Sequence, residues 1–156
     1  MRAVIQRVSS AEVVVEGKTV GRCGMGFLVL AAVHREDSMA DAAKLAEKVS
    51  GLRLFNDHEG RMNLALSDLP EQDLAQVLAI SQFTLYGDAS GSRRPSFVNS
   101  AGYDKGKELF DHFAAELAKR VKGVETGVFG ASMKVSLCNE GPVTLMLDVG
   151  PSQPKG

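Results

Sequence analysis

The sequence predicts an α+β domain in which a curved, mostly antiparallel β-sheet forms a barrel-like core with two main helices packed outside it. Three observations support this fold class. Short apolar runs alternate with turn residues over residues 1–33, as in an antiparallel meander. Two segments, one after Ser38 and one over 103–122, carry apolar residues at helical spacing. Strands and helices do not alternate one by one along the chain, so a parallel doubly wound fold fits poorly.

The meander and the first helix account for the first third of the chain. Strands are predicted at 3–5, 13–15 and 27–33, with a turn at 16–18. Asp37 or Ser38 can cap the helix that follows. The residues that recur on one face of this helix are Met39, Ala42, Ala46 and Val49. We expect this face to pack on the sheet.

Four further strands and a second helix follow. The strands are predicted at the apolar runs 52–55, 76–83, 133–137 and 143–149, with a polar loop at 56–63. The second helix presents Phe110, Phe113, Leu117 and Val121 on one face. Near its C-terminus it carries Lys119, Arg120 and Lys122, whose charges the helix dipole favours.

The composition indicates one domain without a membrane segment. The chain has 156 residues, 44% of them hydrophobic, which is enough to bury a single core. We expect this domain to occupy 1–150 and a flexible tail to occupy 151–156. The longest apolar stretch, 26–33, is far too short to cross a bilayer, so a cytoplasmic protein with no membrane partner is expected.

Charge and residue counts restrict the chemistry further. Eighteen basic and nineteen acidic side chains give a formal net charge of −1, so any contact with nucleic acid must be local. Cys23 and Cys138 do not make a disulfide scaffold and are expected to be reduced. No histidine stands at metal-ligand spacing from another histidine or a cysteine, and the run 57–59 is expected to be a solvated turn. We therefore predict no metal and no cofactor.

The first candidate functional segment comprises Ser81, Gln82, Phe83 and Thr84, at the end of the predicted strand 76–83. In an extended strand Ser81 and Phe83 face one way while Gln82 and Thr84 face the other, so one face would line a pocket. Ser81 or Thr84 would need an adjacent base to act as a nucleophile, and none is close in the chain. The hydroxyls could equally bond neighbouring strands or cap turns.

The second candidate segment, 139–144, contains Gly141-Pro142. Glycine lets the backbone approach a ligand closely, and an X-Pro bond is the common route to a cis peptide. A fixed cis turn would direct main-chain carbonyls into a site, whereas a trans turn would simply lead into the last strand.

Residues 84–100 form the one long stretch without apolar periodicity, and such loops are usually functional or mobile. Arg93 and Arg94 in this loop are candidate phosphate contacts, and solvated arginines are the alternative.

Five blocks in this order and spacing resemble the D-aminoacyl-tRNA deacylase family. They are MRAVIQRV at 1–8, SQFTLY at 81–86, RRPSF at 93–97, TGVFGASMKV at 126–135 and NEGPVT at 139–144. The resemblance extends over residues 1–148. It implies an editing enzyme that hydrolyses the ester between a D-amino acid and the 3′ adenosine of tRNA, and that also removes glycine mischarged onto alanine tRNA.

The resemblance also implies a homodimer with its active site at the subunit interface. Gly141-Pro142 would be cis and would enter the active site of the other subunit, where backbone excludes an L side chain by shape. Arg7 would pin the Gly-Pro carbonyl, and Asn139 belongs to the same substrate-binding block. Phe129 and Met133 would pack against the terminal adenosine.

The implied chemistry uses few side chains. Backbone N–H groups around Ser81, Gln82 and Phe83 would stabilise the oxyanion, and the 2′-hydroxyl of the tRNA would activate or position water. Thr84 as nucleophile is the alternative route. Two other functions stay open: a related deacylase of different chirality with a trans Gly-Pro bond, and a non-catalytic tRNA-binding or replication-associated module.

Overall fold

A computed structural model describes residues 1–152 of the chain. Its strands are β1 (Arg2–Val15), β2 (Lys18–Cys23), β3 (Gly26–Ala32), β4 (Phe55–Asn56), β5 (Met62–Leu64), β6 (Val77–Ser81), β7 (Val124–Thr126) and β8 (Lys134–Asp148). Its α-helices are α1 (Met39–Ser50) and α2 (Tyr103–Ala118). Residues 153–156 of the predicted tail lie outside the described residues, and Gly150–Ser152 form a short 3₁₀ helix.

The long strand β1 organises the sheet because it pairs with three other strands. It is antiparallel to β2, β3 and β8. The pairs β3–β6 and β6–β7 are parallel, so the sheet is mixed, with the order β2-β1-β3-β6-β7. The two ends of this order come together: a Cβ atom on Gly21 of β2 would lie 2.6 Å from the Thr126 carbonyl oxygen of β7. The α+β, barrel-like core of the prediction is confirmed.

The helices pack outside this nearly closed sheet. Apolar residues of β1 and β3 form one core with both helices, and Phe27 and Phe113 are its largest fully buried side chains. In α1 the buried residues are Ala42, Leu45, Ala46 and Val49. Met39, which the spacing placed on the same face, is instead 41% exposed because it lies at the first position of the helix. Within residues 1–152, no helix is long and apolar enough to cross a membrane.

Helix α2 is shorter than predicted. It ends at Ala118, so Lys119, Arg120 and Lys122 lie at or beyond its C-terminus. The cause is tertiary: the Lys122 N–H donates to Oε1 of the buried Gln76 at 2.9 Å, which draws the chain towards β7. Strand β7 was missed because three residues are too few to show a period.

Three strand predictions also change. The run 52–55 contributes only its last residue to β4, which pairs with β5 in a small hairpin. The run 76–83 stops at Ser81. The runs 133–137 and 143–149 belong to one strand, β8, which has irregular pairing to β1 in its middle.

Candidate active site

A cavity of about 590 Å³ opens between the end of β6 and the start of α2. Ser81, Gln82 and Phe83 form one side of it. The opposite side includes Phe110, Phe129, Gly130, Ala131 and Met133, and Gly102, Tyr103 and Gly106 of the α2 region complete the wall. The cavity therefore joins the first candidate segment to the two residues expected to bind adenosine.

The chain turns sharply where β6 ends. The Gln82 N–H donates to the Ala31 carbonyl at 2.9 Å, which extends the parallel pairing by one bond. Residues Phe83–Tyr86 then form a 3₁₀ helix, in which the Gly87 N–H donates to the Thr84 carbonyl at 2.9 Å. We call this element the Phe83–Tyr86 turn. The prediction that residues 81–84 alternate as an extended strand is thus wrong after Gln82.

The turn presents unused backbone donors. Phe83 and Thr84 begin the 3₁₀ helix, and first-turn N–H groups have no partner inside a helix. Among residues 1–152 neither N–H group donates to a backbone or side-chain acceptor. The Gln82 N–H, one of the three donors expected from the sequence, is already bonded to Ala31. The Phe83 and Thr84 N–H groups are therefore available to a ligand.

The hydroxyl of Thr84 has an amide as its partner. It accepts a hydrogen bond from Nε2 of Gln82, and no carboxylate or imidazole bonds it within the described part of the chain. A threonine without a base is a weak nucleophile. Cys23 is no substitute, because burial raises the pKa of its thiol to about 11 and keeps it protonated at neutral pH. Residues 1–152 contain no group of three His, Cys, Asp or Glu side chains placed to hold a metal ion.

Aromatic rings build the far wall of the cavity. Phe129 meets Tyr103 edge to face, with ring centroids 5.2 Å apart, and lies 6.0 Å from Phe110. A Cβ atom on Gly106 would lie 3.3 Å from Cζ of Phe129, so glycine makes room for this ring. Sequence reasoning missed Tyr103 because helical spacing treats it only as the first residue of α2, although its 60% exposure at the cavity wall marks it as available to a ligand.

The second candidate segment forms a different structure. Gln6 pairs with Thr144 and Val8 with Asn139, so β8 advances five residues where β1 advances two. The extra residues bulge out opposite Arg7, and the Gly141–Pro142 peptide bond in this bulge is cis. We call residues 140–143 the Gly-Pro bulge. Glu140, Gly141 and Pro142 are all exposed.

Two side chains hold the Gly-Pro bulge. Nε of Arg7 donates to the Glu140 carbonyl at 3.1 Å, one residue before the Gly-Pro carbonyl that the resemblance implied, and Nη1 donates to the Leu54 carbonyl at 2.7 Å. Nδ2 of Asn139 donates to the carbonyls of Arg7 and Val143, each at 3.0 Å. The bulge is therefore tied to β1 and to the segment before β4.

The structure brings some predicted site residues together and separates others. Ser81, Gln82, Phe83, Phe129 and Met133 line one cavity. The residues that do not line it are Arg7, Thr84, Arg93, Arg94, Asn139, Gly141 and Pro142. Within a single chain the two candidate segments therefore do not share a pocket.

The loop with Arg93 and Arg94 forms a small ribbon closed by one antiparallel β-bridge between Asp88 and Ser96. Asp88 and Ser96 exchange two backbone hydrogen bonds of 2.8 Å, and the Asp88 carboxylate accepts the Ser90 N–H. Both arginines are exposed near the far end of this ribbon. Its base lies beside the cavity because Phe97 meets Phe83 edge to face at 5.1 Å.

Comparisons with known proteins agree with this architecture. The sequence model of the family described as D-Tyr-tRNA(Tyr) deacylase matches residues 4–148. The curated D-aminoacyl-tRNA deacylase of Thermotoga petrophila is 51% identical over 148 residues, covering 95% of this chain and 97% of that protein. That of Polaromonas naphthalenivorans is 50% identical over 152 residues, covering 97% and 99%.

Solved structures show the same fold. The c-Myc DNA unwinding element binding protein superposes with a TM-score of 0.86 at 31% identity, over 96% of this chain and 99% of that one. A probable eukaryotic D-amino acid tRNA deacylase superposes with a TM-score of 0.79 at 21% identity, over 95% and 98% of the two chains. With a family match over nearly its whole length and relatives about half identical to it, this chain belongs to the D-Tyr-tRNA(Tyr) deacylase family.

Proposed function

We propose that this protein hydrolyses the ester that joins a D-amino acid to the 3′ adenosine of tRNA. Its curated relatives are D-aminoacyl-tRNA deacylases. The observation that carries the proposal is the cavity between the Phe83–Tyr86 turn and the Phe129 wall, since it combines free backbone donors with an aromatic surface. A substrate made in translation places this activity in the cytoplasm.

The aromatic wall receives the terminal adenosine. Unstacked bases bind to aromatic side chains, and Phe129 and Met133 offer an apolar surface inside the cavity. With the base on this wall, the ester lies towards Ser81 and Phe83 on the other side. The N–H of Phe83, which lines the cavity, and the N–H of the adjacent Thr84 are then the donors proposed for the carbonyl oxygen, whose negative charge grows as water adds.

The tRNA supplies the group that positions or activates the attacking water. An aminoacyl ester is already activated, and its neighbouring 2′-hydroxyl can position or activate the attacking water. Thr84, bonded to Gln82 and without a base, fits this route better than it fits a nucleophile. The protein contributes orientation and the oxyanion donors.

The Gly-Pro bulge acts on a second copy of the chain. It is exposed and does not line the cavity of its own chain. It lies on β8, whose outer edge pairs with no strand among residues 1–152. The same strand exposes Leu137 by 37% and Met146 by 57%, and unpaired edges with exposed apolar residues favour association. A homodimer would bring each bulge to the other cavity.

Chirality follows from this arrangement. Arg7 and Asn139 fix the bulge so that its backbone occupies the space that an L side chain would need. A wall that rejects by shape accepts many D side chains, and it cannot exclude glycine, so we expect the protein also to remove glycine from alanine tRNA. Arg93 and Arg94, near the end of their ribbon, contact the tRNA phosphates.

A nucleic-acid-binding function without catalysis is the second candidate. The similarity to the c-Myc DNA unwinding element binding protein favours it. Such a module would use the aromatic wall and the arginine ribbon but would need neither the Phe83 and Thr84 donors nor the Gly-Pro bulge. A deacylase that accepts L substrates is less compatible with the bulge that Arg7 holds.

The test is to incubate the purified protein with D-Tyr-tRNA, L-Tyr-tRNA and glycine-charged alanine tRNA and to follow loss of the ester. We expect turnover of the D-tyrosyl and glycyl esters and none of the L-tyrosyl ester. Equal turnover of the L ester would refute the chirality proposal, and binding without any turnover would favour the second candidate. A tRNA ending in 2′-deoxyadenosine should be hydrolysed far more slowly.

A further inference from the structure

Arg2 makes a fixed set of contacts behind the Phe83–Tyr86 turn. Its Nε donates to Oδ1 of Asp148 at 2.8 Å and its Nη2 donates to Oδ2 at 3.3 Å, so the carboxylate is bound by two prongs. Its remaining nitrogen, Nη1, donates to the Leu85 carbonyl at 3.2 Å. Its guanidinium carbon also lies 5.4 Å from the ring centroid of Tyr86. One side chain thus contacts both of the last two residues of the turn.

Asp148 sets the direction of this guanidinium. Arg2 and Asp148 are directly opposed in the β1–β8 pairing, so the ladder itself holds the two backbones in register. Their side chains are only 29% and 11% exposed, and hydrogen bonding to Asp148 raises the pKa of Arg2 above its ordinary value. A planar guanidinium bound bidentately has little freedom to rotate, so its third nitrogen is aimed at Leu85.

The contact lies outside the cavity. Arg2 lines a separate depression with His34, Tyr86 and Asn99, on another face of the turn from the cavity that Ser81 and Phe83 line. Arg2 therefore cannot touch a substrate in the cavity. It can act only on the backbone that carries the free N–H groups.

We propose that Arg2, oriented by Asp148, is a positioning residue that holds the Phe83–Tyr86 turn so that the Phe83 and Thr84 N–H groups face the scissile carbonyl. The inference rests on the proposed deacylase function for its effect on rate. The bond from the Gln82 N–H to the Ala31 carbonyl is a second anchor and lies at the start of the turn, and the buried Tyr86 ring also packs against His34. Arg2 fixes its end, and two fixed ends determine the direction of the donors between them.

The substitution Arg2→Lys tests whether the positioning of the turn depends on the shape of the guanidinium or only on its charge. An ammonium group can keep an ion pair with Asp148, but it is a point charge and cannot replace the planar fork that binds Asp148 and Leu85 together. Arg2→Lys should therefore keep the fold while releasing the turn. Asp148→Asn removes the negative charge and one of the two acceptor oxygens, so Arg2 stays in place but loses its bidentate partner.

The kinetic test compares Arg2→Lys, Arg2→Ala and Asp148→Asn on D-Tyr-tRNA. Because only the transition state requires aligned donors, we expect kcat to fall at least about tenfold with KM nearly unchanged. The matched control is Arg120→Ala: Arg120 is also partly exposed and pairs with the carboxylate of Glu116, but it lies just beyond the far end of α2, about 15 Å by helix rise from Phe110, the cavity residue nearest to it along the helix. This control should lower neither kcat nor KM.

A second measurement does not depend on turnover. Amide hydrogen exchange at Leu85 and Gly87, whose N–H groups donate to the Gln82 and Thr84 carbonyls, should accelerate in the Arg2 and Asp148 variants and stay unchanged in the Arg120 control. Unchanged exchange in folded Arg2→Lys would overturn the proposal, as would a fall in thermal stability with full kcat. If the wild-type protein hydrolyses no ester, the deacylase function fails, while faster exchange would still support the positioning of the turn.

Discussion

The Phe83–Tyr86 turn and the Gly-Pro bulge are both irregular backbone at the end or in the middle of a strand, yet they are held in opposite ways. The turn is anchored at both ends, by Ala31 and by Arg2, and its first residue lines a cavity of its own chain. The bulge is anchored at its base by Arg7 and Asn139, and its tip is exposed. One segment faces inward and the other faces outward.

One strand, β1, holds both the Phe83–Tyr86 turn and the Gly-Pro bulge. Arg2 and Arg7 both come from β1, and each donates to a main-chain carbonyl of one element, Leu85 or Glu140. A main-chain carbonyl can accept a hydrogen bond regardless of the side chain on its own residue. These bonds therefore fix the backbone without requiring a particular residue at position 85 or 140. A rigid β1 therefore sets the geometry of both elements.

The largest expected effect comes from Gly141→Ala. The φ of Gly141 is 119°, and an added Cβ would lie 2.8 Å from Nη2 of Arg7 and 2.9 Å from Cγ2 of Val143. The bulge must move, and we expect hydrolysis of D-Tyr-tRNA to fall at least about hundredfold, as a 1 Å misplacement can cost that much. The measurement is kcat/KM.

Gly17→Ala is the matched control for this change. Gly17 also has a positive φ, 77°, but an added Cβ would meet nothing within 4 Å. The control carries the left-handed backbone penalty of about 1–2 kcal/mol in unfolding free energy without touching the bulge. Equal loss of activity in both variants would contradict a role for the shape of the bulge.

Arg7→Lys should have the next largest effect. The substitution removes the simultaneous hydrogen bonds to Glu140 and Leu54 while keeping the charge. We expect the ratio of D-tyrosyl to L-tyrosyl ester hydrolysis to fall by about tenfold or more, because a looser bulge admits the L side chain. If the ratio holds while both rates drop, Arg7 supports catalysis and not selection.

Thr84→Val should have a small effect. Valine keeps the shape of the side chain and the Thr84 N–H, and it removes only the hydroxyl that Gln82 bonds. We expect kcat within about threefold of wild type, since the backbone donor remains in place. An inactive Thr84→Val enzyme with a normal thermal midpoint would return this residue to the role of nucleophile.

The smallest expected effect is a difference in reactivity between the exposed thiol of Cys138 and the buried thiol of Cys23. Cys138 on β8 is exposed, whereas Cys23 is buried with its pKa raised to about 11. At pH 8 we expect iodoacetamide to modify Cys138 alone, as read by intact mass, because Cys23 stays protonated until the pH approaches 11. Modification of both thiols at pH 8 in the folded protein would show that the interior opens.

The sequence predicted much of this arrangement. The α+β class and the two helices followed from apolar spacing and from the resemblance of five blocks, while the functional role of the two segments stays a prediction. The 3₁₀ geometry after Ser81 could not be foreseen, because a short apolar run looks the same whether the next residues extend or turn. The end of α2 depends on the side chain of Gln76, which is remote in sequence.

The contacts that hold the two elements were the least predictable. Arg2 and Leu85 are 83 positions apart, and a strand arginine gives no local sign of which carbonyl it meets. The resemblance assigned a role to Arg7, but it assigned none to Arg2, although Arg2 lies in the same block, and none to Tyr103. The parallel pairing of β6 with β7 was not predicted because β7 has only three residues, too few to be recognised as a strand.

The irregular pairing opposite Arg7 has a further consequence: the residues proposed to select the substrate are not the ones that complete the β1–β8 ladder. From the Gln6–Thr144 pair to the Ser10–Cys138 pair, β8 advances six residues where β1 advances four, so two of its residues are not needed to complete the ladder. A chain shortened by those two residues could pair without interruption and keep its hydrophobic core. If the bulge selects the substrate as proposed, mutation can change substrate choice here with little cost to folding, and this insertion is then a point where specificity can evolve.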